Sequence, residues 1–412
     1  AFFADPQHEA LIAQAIERNR DLAVAVAQIE EARGLYRIQD AGRLPTVGAS
    51  AHATRTRGAS LNGPRTDTTN RYSVGVGVTS FELDFWGRVK NLSEAARSQY
   101  LATEAAERAF RLALVRDDAS TYFASRGAEE QIALAEATVT SRKEGLRIAK
   151  RRLDAGVTSA LDYRQSETLL TQAETQLASL KLGKAQADNF LAVLTGGPVA
   201  GPLPAPLPLV AQAQSPTLTA GLPSDLLVAR PDILAAEERL RAARANVGAA
   251  RAAFFPSISL TGNLGFASLS LDNLFTDDSM TWSFGPSISL PIFDFGRNKG
   301  NLTVAEAREN IAIATYERAV QGAFREVADA LAGRRYLAEQ VEAQERGTLA
   351  TRQIADLARK RYREGVSTYL EVLDAERNLF AAEQTLIETR RAQVDNLVTL
   401  YVALGGGLVE RR

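Results

Sequence analysis

The feature that most restricts what this chain can fold into is a stretch that occurs twice. Residues 151–177 read RRLDAGVTSALDYRQSETLLTQAETQL, and residues 360–386 read KRYREGVSTYLEVLDAERNLFAAEQTL. At a constant offset of 209 they share Arg152/Arg361, Gly156/Gly365, Val157/Val366, Leu161/Leu370, Glu167/Glu376, Leu170/Leu379 and Leu177/Leu386. The pairs Thr158/Ser367, Ser159/Thr368 and Asp162/Glu371 are conservative. Helix-forming sequence flanks a Gly-Val-[Ser/Thr]-[Ser/Thr] core in each copy. Glycine can supply the left-handed residue that closes one helix, and Ser or Thr can N-cap the next. Each copy therefore predicts a helical hairpin with a tight turn, and the chain reads as a tandem duplication.

Proline placement divides the rest. None occurs between Pro64 and Pro198 or after Pro291, and eight of the fourteen lie in 198–231. Proline costs about 3 kcal/mol inside a helix, so the two Pro-free tracts are where long helices can run. The first repeat, 1–195, reads as a helix over 7–43, strands 46–57 and 71–82, a long helix 88–154, the tip 155–159 and a returning helix 160–194. Residues 55–71 are polar and carry Gly, Pro and Asn, the composition of a surface loop. Residues 196–224 read as an extended Pro-rich connector. The second repeat, 225–412, follows the same plan: helix 225–253, strands 257–267 and 281–291, helix 297–363, tip 365–368 and helix 369–404. At 1.5 Å per residue the long helices span roughly 100 Å, and two short helices end to end match one of them, which predicts a tall bundle.

The strands decide the class. Val47, Ala49, Ala51 and Ala53 alternate with Gly48, Ser50 and His52; Val74, Val76 and Val78 alternate with Ser73, Gly75 and Gly77; the second pair repeats the pattern. One face is apolar and the other is Ser, Gly, Thr and Asn without Lys, Arg, Asp or Glu. Four strands cannot close alone, and a membrane barrel must close because lipid offers backbone groups no partner. Three copies would give twelve strands with the apolar face to lipid and the small polar face to a lumen. The alternative is a soluble sheet packed on one face. In the long helices, apolar residues such as Val320, Ala323, Phe324, Val327 and Leu331 recur at coiled-coil spacing.

Composition excludes more than it selects. Net charge is −1, so no basic field points to nucleic acid. The absence of cysteine removes disulfides, thiolate metal sites and Cys nucleophiles, and fits an oxidising compartment. Only His8 and His52 are present. No Gly-rich phosphate loop, His-based triad or metal-ligand spacing is found, so the reading is of a non-enzyme without cofactor or metal. No apolar run reaches the length of a transmembrane helix. The chain begins at Ala1 without Met, so any signal peptide or lipid-bearing first residue is expected to have been removed.

Phe81-Glu82-Leu83-Asp84-Phe85-Trp86-Gly87-Arg88 and Pro291-Ile292-Phe293-Asp294-Phe295-Gly296-Arg297 stand at the two strand-to-helix junctions. With Ala229-Arg230-Pro231-Asp232-Ile233, Ala252-Ala253-Phe254-Phe255-Pro256 and the two tips, they resemble the TolC-like outer-membrane efflux ducts, closest to the OprM/OprN/OprJ type. The similarity covers essentially the whole chain. It implies a mainly α fold with a membrane β-barrel, built as a homotrimer in outer-membrane lipid. A twelve-stranded barrel would sit on a long α-helical barrel in the periplasm, with a mixed equatorial belt. It also implies docking on a periplasmic adaptor (membrane fusion) protein and an RND-type inner-membrane transporter. Many relatives of this branch carry a lipid on an N-terminal Cys, which this chain lacks.

The family's periplasmic gate maps onto Glu371 and Asp374, with Arg377 one turn on; the spacing keeps all three roughly on one helix face. Three chains would bring six carboxylates together, whose repulsion needs Arg377, other Arg or cations. The first repeat has Asp162, Gln165 and Thr168 there, so only the second is charged in this way. The alternative is a solvated helix face with an i, i+3 ion pair. The tip residues Gly156, Val157, Thr158, Gly365, Val366 and Ser367 are the expected adaptor contacts; turn geometry alone is the other explanation. The favoured function is the exit duct of a tripartite multidrug pump for small amphipathic compounds. A duct for type I protein secretion and a soluble coiled-coil scaffold are the alternatives.

Overall fold

The computed structural model describes residues 5–59, 66–198, 203–212 and 230–406. Most of the Pro-rich connector and residues 225–229, including Ala229, lie outside these. The elements in order are α1 Pro6–Arg18, α2 Arg20–Ala41, β1 Val47–Ala59, β2 Thr66–Leu83, α3 Arg88–Asp154 and α4 Ala160–Leu194. There follow a single turn α5 Leu209–Gln212, α6 Pro231–Ala252, β3 Ser257–Ser268, β4 Met280–Ser289, α7 Arg297–Arg363 and α8 Tyr369–Ala403. Short 3-10 turns at Leu271–Asn273 and Asp277–Ser279 join β3 to β4. Helices α3 and α7 have 67 residues each and α4 and α8 have 35 each. Among the described residues no helix is long and apolar enough to cross a membrane.

Two compact units cut across the sequence halves: Ala1–Val26, Glu107–Ile233 and Val320–Arg412 form one, and Ala27–Ala106 with Leu234–Ala319 form the other. The first is helical. Its main core gathers Leu11, Tyr122, Phe123, Leu191, Leu209, Val394 and Val398 from five helices. Nearer the hairpin ends the buried residues shrink to Val139, Leu170 and Ala173 on one hairpin and Ala355, Ala358, Val372 and Ala375 on the other. Small side chains let the helices approach closely there.

The expected single helix over 7–43 is broken at Asn19, which has extended geometry (φ −59°, ψ 128°). The break is stabilised by the asparagine itself. Its Oδ1 accepts from Leu22 N (2.8 Å), capping α2, while its Nδ2 donates to Leu194 O (2.9 Å) in the last turn of α4. The second half uses a different side chain for the same purpose. Arg230, just ahead of α6, donates to Ala403 O in the last turn of α8 (3.1 Å) and is held by Asp232 and Glu326 (2.8 Å each). The helix read as 225–253 accordingly starts at Pro231, the position where proline's missing N–H costs nothing.

A buried polar group joins α1 to α3. Asp5 caps α1 through Gln7 N (2.9 Å) and accepts from the Tyr122 hydroxyl (2.7 Å), Leu207 N (3.2 Å) and Gln212 Nε2 (2.8 Å). His8 stacks on Tyr122 with 5.1 Å between ring centres and lies 3.6 Å from Asp118. Both are fully buried, and among the described residues neither Asp118 oxygen has a hydrogen-bond partner. Burial pushes the His8 pKa down to about 4 and the Asp118 pKa up to about 7, so at mildly acidic pH the buried pair is neutral.

The second unit carries an antiparallel sheet in the order β1-β2-β3-β4. Both expected strands of the first pair are longer than their apolar alternation. The supposed loop 55–71 contributes an extended arm in which Arg55 pairs with Asn70 and Arg57 with Thr68. Its β-branched threonines favour extension, and their polarity hid it. β4 ends at Ser289, short of Leu290-Pro291. A bulge between Val78 and Phe81, with Ser80 at φ +56°, shifts the alternation, so Phe81 and Leu83 stay on the face of Val74, Val76 and Val78. On the opposite face β2 and β3 approach so closely that a Cβ at Gly265 would stand 2.2 Å from the Val74 carbonyl oxygen.

The junction motifs are capping devices. Asp84 Oδ2 accepts from Lys90 N (2.7 Å) and Asp294 Oδ2 from Asn298 N (2.9 Å), each at the first turn of a long helix. Gly87 (φ +74°) and Gly296 (φ +87°) make the preceding reversal. Trp86 stacks on Phe255 and donates to Pro256 O (2.8 Å), tying this junction to the end of α6.

Candidate functional site: the hairpin ends

Both hairpin ends belong to the helical unit, and glycine sets their backbone. Gly156 (φ +70°) donates to Leu153 O, and Val157 reaches back to Arg152 O at 2.9 Å. Gly365 (φ +74°) and Val366 repeat this with Tyr362 O at 3.1 Å and Arg361 O at 2.9 Å. This Schellman closure satisfies carbonyls that a helix end otherwise leaves open. It leaves Val157 and Val366 65 % and 68 % exposed as apolar points at the two ends.

The side chains then diverge. At the first end Ser159 Oγ accepts from Asp162 N (3.3 Å), and the Thr158 hydroxyl donates to Asp162 Oδ2. That bond, with the Ser159 contacts, holds the Asp162 pKa below the usual carboxylate value. At the second end Thr368 occupies the capping position without a side-chain cap bond. Ser367 Oγ is buried with no hydrogen-bond partner among the described residues. The expectation that Ser or Thr caps both returning helices therefore fails at the second.

Of the expected gate residues, Asp374 pairs with Arg377 (2.7 Å), both more than half exposed. They line a groove of about 370 Å³ between α4 and α8, facing Arg164, Gln165 and Thr168. Glu371 is not paired with Arg377. Its partner is Arg361 of the preceding helix, at 3.9 Å across the turn.

Residues outside the expected gate and tips connect the two hairpins. Arg152 donates to the Tyr362 hydroxyl and lies over its ring, and Tyr362 packs on Tyr369. Arg142, only 8 % exposed, donates to Leu169 O (2.6 Å) and lies over Phe380. Its burial lowers its pKa against the opposing pull of Glu376, which itself bonds Arg359 at 2.9 Å. A cavity of about 290 Å³ lies among these groups. The one usable signal was the repeated Arg152/Arg361 pair, whose two members reach different partners. No group of three or more His, Cys, Asp or Glu that could hold a metal is found among the described residues.

Comparison with known proteins agrees with this architecture. The outer membrane efflux protein family matches residues 11–197 and 222–406. The chain is 46% identical over 408 residues to the solvent efflux pump outer membrane protein SrpC of Pseudomonas putida, covering 98% of this chain and 86% of that protein. It is 43% identical over 407 residues to the cation efflux system protein CusC of Escherichia coli K12, covering 98% and 88%. A crystal structure of CusC superposes with TM-score 0.90 at 43% identity, covering 99% of this chain and 94% of that one. The open state of the MtrE outer membrane channel of Neisseria gonorrhoeae gives 0.88 at 42% identity, covering 98% and 90%. With its long helical hairpins and four-stranded sheet, this chain is a TolC-like outer-membrane protein and belongs to the outer membrane efflux protein family.

Proposed function

We propose that the chain is the exit duct of a tripartite multidrug efflux pump, passing small amphipathic compounds through a gated homotrimer. The carrying observation is the sheet. Its apolar face exposes Trp282 (74 %), Phe284 (65 %) and Ile288 (71 %), while its other face is small and polar. Among the described residues its outer strands β1 and β4 each keep one unpaired edge. Lipid on one side, water on the other and a second copy at each edge together answer all three exposures. Twelve strands from three copies close the barrel. The two halves, 1–195 and 225–412, act as structural repeats joined by 196–224, a reading supported by their matching glycine closures. The long helices extend into the periplasm, and the duct itself performs no catalysis.

In this reading Gly156, Val157, Thr158, Gly365, Val366 and Ser367 meet the periplasmic adaptor, which couples the duct to an RND-type transporter. Glu371, Asp374 and Arg377, with Arg361, form the periplasmic gate. The test is the mass of the detergent-purified protein together with drug accumulation in a strain deprived of its own duct. A trimer that restores export is expected, and a stable monomer in mild detergent rejects the barrel. The same architecture serves type I protein secretion. Crosslinking through position 157 or 366 in cells, and identifying the captured adaptor, separates the two.

A further inference from the structure

The strand register assigns a level to every side chain on the apolar face of the sheet. Rising away from the helices, its rungs are Phe81 with Leu260, Val78 with Gly262, Val76 with Leu264 and Ala49, Val74 with Phe266 and Ala51, and Tyr72 with Ala53 and Ser268. From Phe81 to Tyr72, β2 advances about 30 Å, or about 23 Å along a membrane normal at a strand tilt near 40°, which matches the apolar band of roughly 25 Å in a membrane barrel. The next two rungs of the same face are Arg55 with Asn70 and Arg57 with Thr68. They are the first charged side chains on this face.

We propose that Arg55 and Arg57 form a site for the phosphate groups of an outer-leaflet lipid, a phosphorylated glycolipid of the lipid A class. Their place follows from the alternation of β1. Residues 47, 49, 51, 53, 55 and 57 share one face, so Arg55 and Arg57 continue directly from the apolar column, with their Cα atoms about 7 Å apart. Both are exposed, and among the described residues no carboxylate pairs with either. Arg57 Nε donates to Thr66 Oγ1 on the same face (3.4 Å). A guanidinium fork matches phosphate oxygens two at a time, and at the edge of the hydrocarbon it does so with weakened competition from water. Arg71, the neighbouring arginine on β2, pairs with Thr54 and points to the opposite, small polar face. It has the same charge at nearly the same height and the wrong direction, so it serves as the internal control.

This proposal rests on the barrel reading, and the test separates the two. The full chain would be extracted from outer membranes in mild detergent, and retained phosphorylated lipid counted by native mass spectrometry. The double variant Arg55→Gln with Arg57→Gln should retain at least about fivefold less than the parent. Arg71→Gln should retain the parental amount, and the parent offered dephosphorylated lipid A should fall to the level of the double variant. Equal retention by parent and double variant overturns the proposal, as does an equal loss in Arg71→Gln. Trp282 fluorescence in a Trp86→Phe background, quenched by brominated acyl chains, reports the barrel separately. Quenching with unchanged lipid retention overturns only the arginine site, whereas no quenching overturns both.

Discussion

At the first hairpin end Ser159 caps α4 and Thr158 holds Asp162; at the second, Thr368 makes no cap bond and the Ser367 Oγ is buried with no partner among the described residues. Yet both ends close with the same pair of backbone bonds and the same left-handed glycine. Glycine therefore sets the path of the chain, and the hydroxyls set how firmly the next helix is held. The second end relies on exposed ion pairs, Asp374–Arg377 and Glu371–Arg361, and such pairs contribute about 0–1 kcal/mol. Of the two hairpins it is the one that can rearrange at lower cost. The proposed gate lies on it.

The strongest way to break the comparison is to remove what the ends have in common. Gly156→Pro or Gly365→Pro forces φ from about +70° to about −65° and deletes a backbone donor. Either should leave trimers in the membrane and abolish drug resistance in a duct-deficient strain. Normal resistance would count against docking through the tips.

A second test removes what only the second hairpin has. If Glu371 and Asp374 ring the constriction, their focused field should favour cations. In planar bilayers the double variant Glu371→Ala with Asp374→Ala should move the reversal potential toward zero selectivity. Arg377→Ala should loosen closure through Asp374, and Arg361→Ala through Glu371, because each leaves a different carboxylate without its cation. An unmoved reversal potential in the double variant removes both residues from the pore.

Set against these solvated ends, the buried His8–Asp118 pair handles charge in the opposite way. Between about pH 4 and 6.5 the unfolded chain holds one proton on His8, and the folded chain holds one on Asp118. The proton counts match, so the pair is nearly silent in a stability–pH curve. His8→Gln leaves a carboxyl whose folded pKa is raised, so stability should fall as pH rises from about 4 to 7. Asp118→Asn leaves an imidazole whose folded pKa is lowered, so stability should fall as pH drops from about 6.5 to 4. Across these ranges the change amounts to at most about 4 kcal/mol for the Asp118 carboxyl and about 3 kcal/mol for the His8 imidazole. Melting in detergent across this range checks the opposite signs, and parallel slopes would show that the two groups do not exchange a proton on folding.

The smallest effect sharpens the comparison most directly. Ser159→Ala should destabilise the start of α4 by about 1 kcal/mol. Thr368→Ala should change the start of α8 by only a few tenths, because no cap bond is lost. Amide exchange in the first turn of each helix reads the difference, and equal acceleration at both would mean that Thr368 caps α8 in solution.

Much of the fold was legible because its signals are local. Pro-free tracts of helix formers mark α3 and α7, and two-residue alternation marks the centres of the strands. What escaped depends on partners distant in sequence. Asn19 breaks a helix-forming run because Leu194 O is there to receive its amide. The arm beyond Ala53 is extended because each strand pairs with the other, although its threonines and arginines have the composition of a loop. The bulge at Ser80 interrupts an alternation that looks regular. At the hairpin ends, the family resemblance led to Glu371 and Asp374 and i, i+3 spacing joined Arg377 to them, while Arg361–Glu371 crosses a turn and Arg152–Tyr362 joins different hairpins. Spacing along one helix cannot show either.

The clasps at Asn19 and Arg230 bear on the order in which the chain is made. Asn19 closes on a carbonyl 175 residues later and Arg230 on one 173 residues later, so the two closures carry nearly equal entropic cost. Each joins the beginning of one half to the end of that same half. Once residue 194 has left the ribosome, every atom of the first clasp has been synthesised, and nothing in it waits for the second half. The second clasp is equally self-contained. A chain of this length can thus be assembled as two successive closures of moderate span, and its full contour never has to be searched at once.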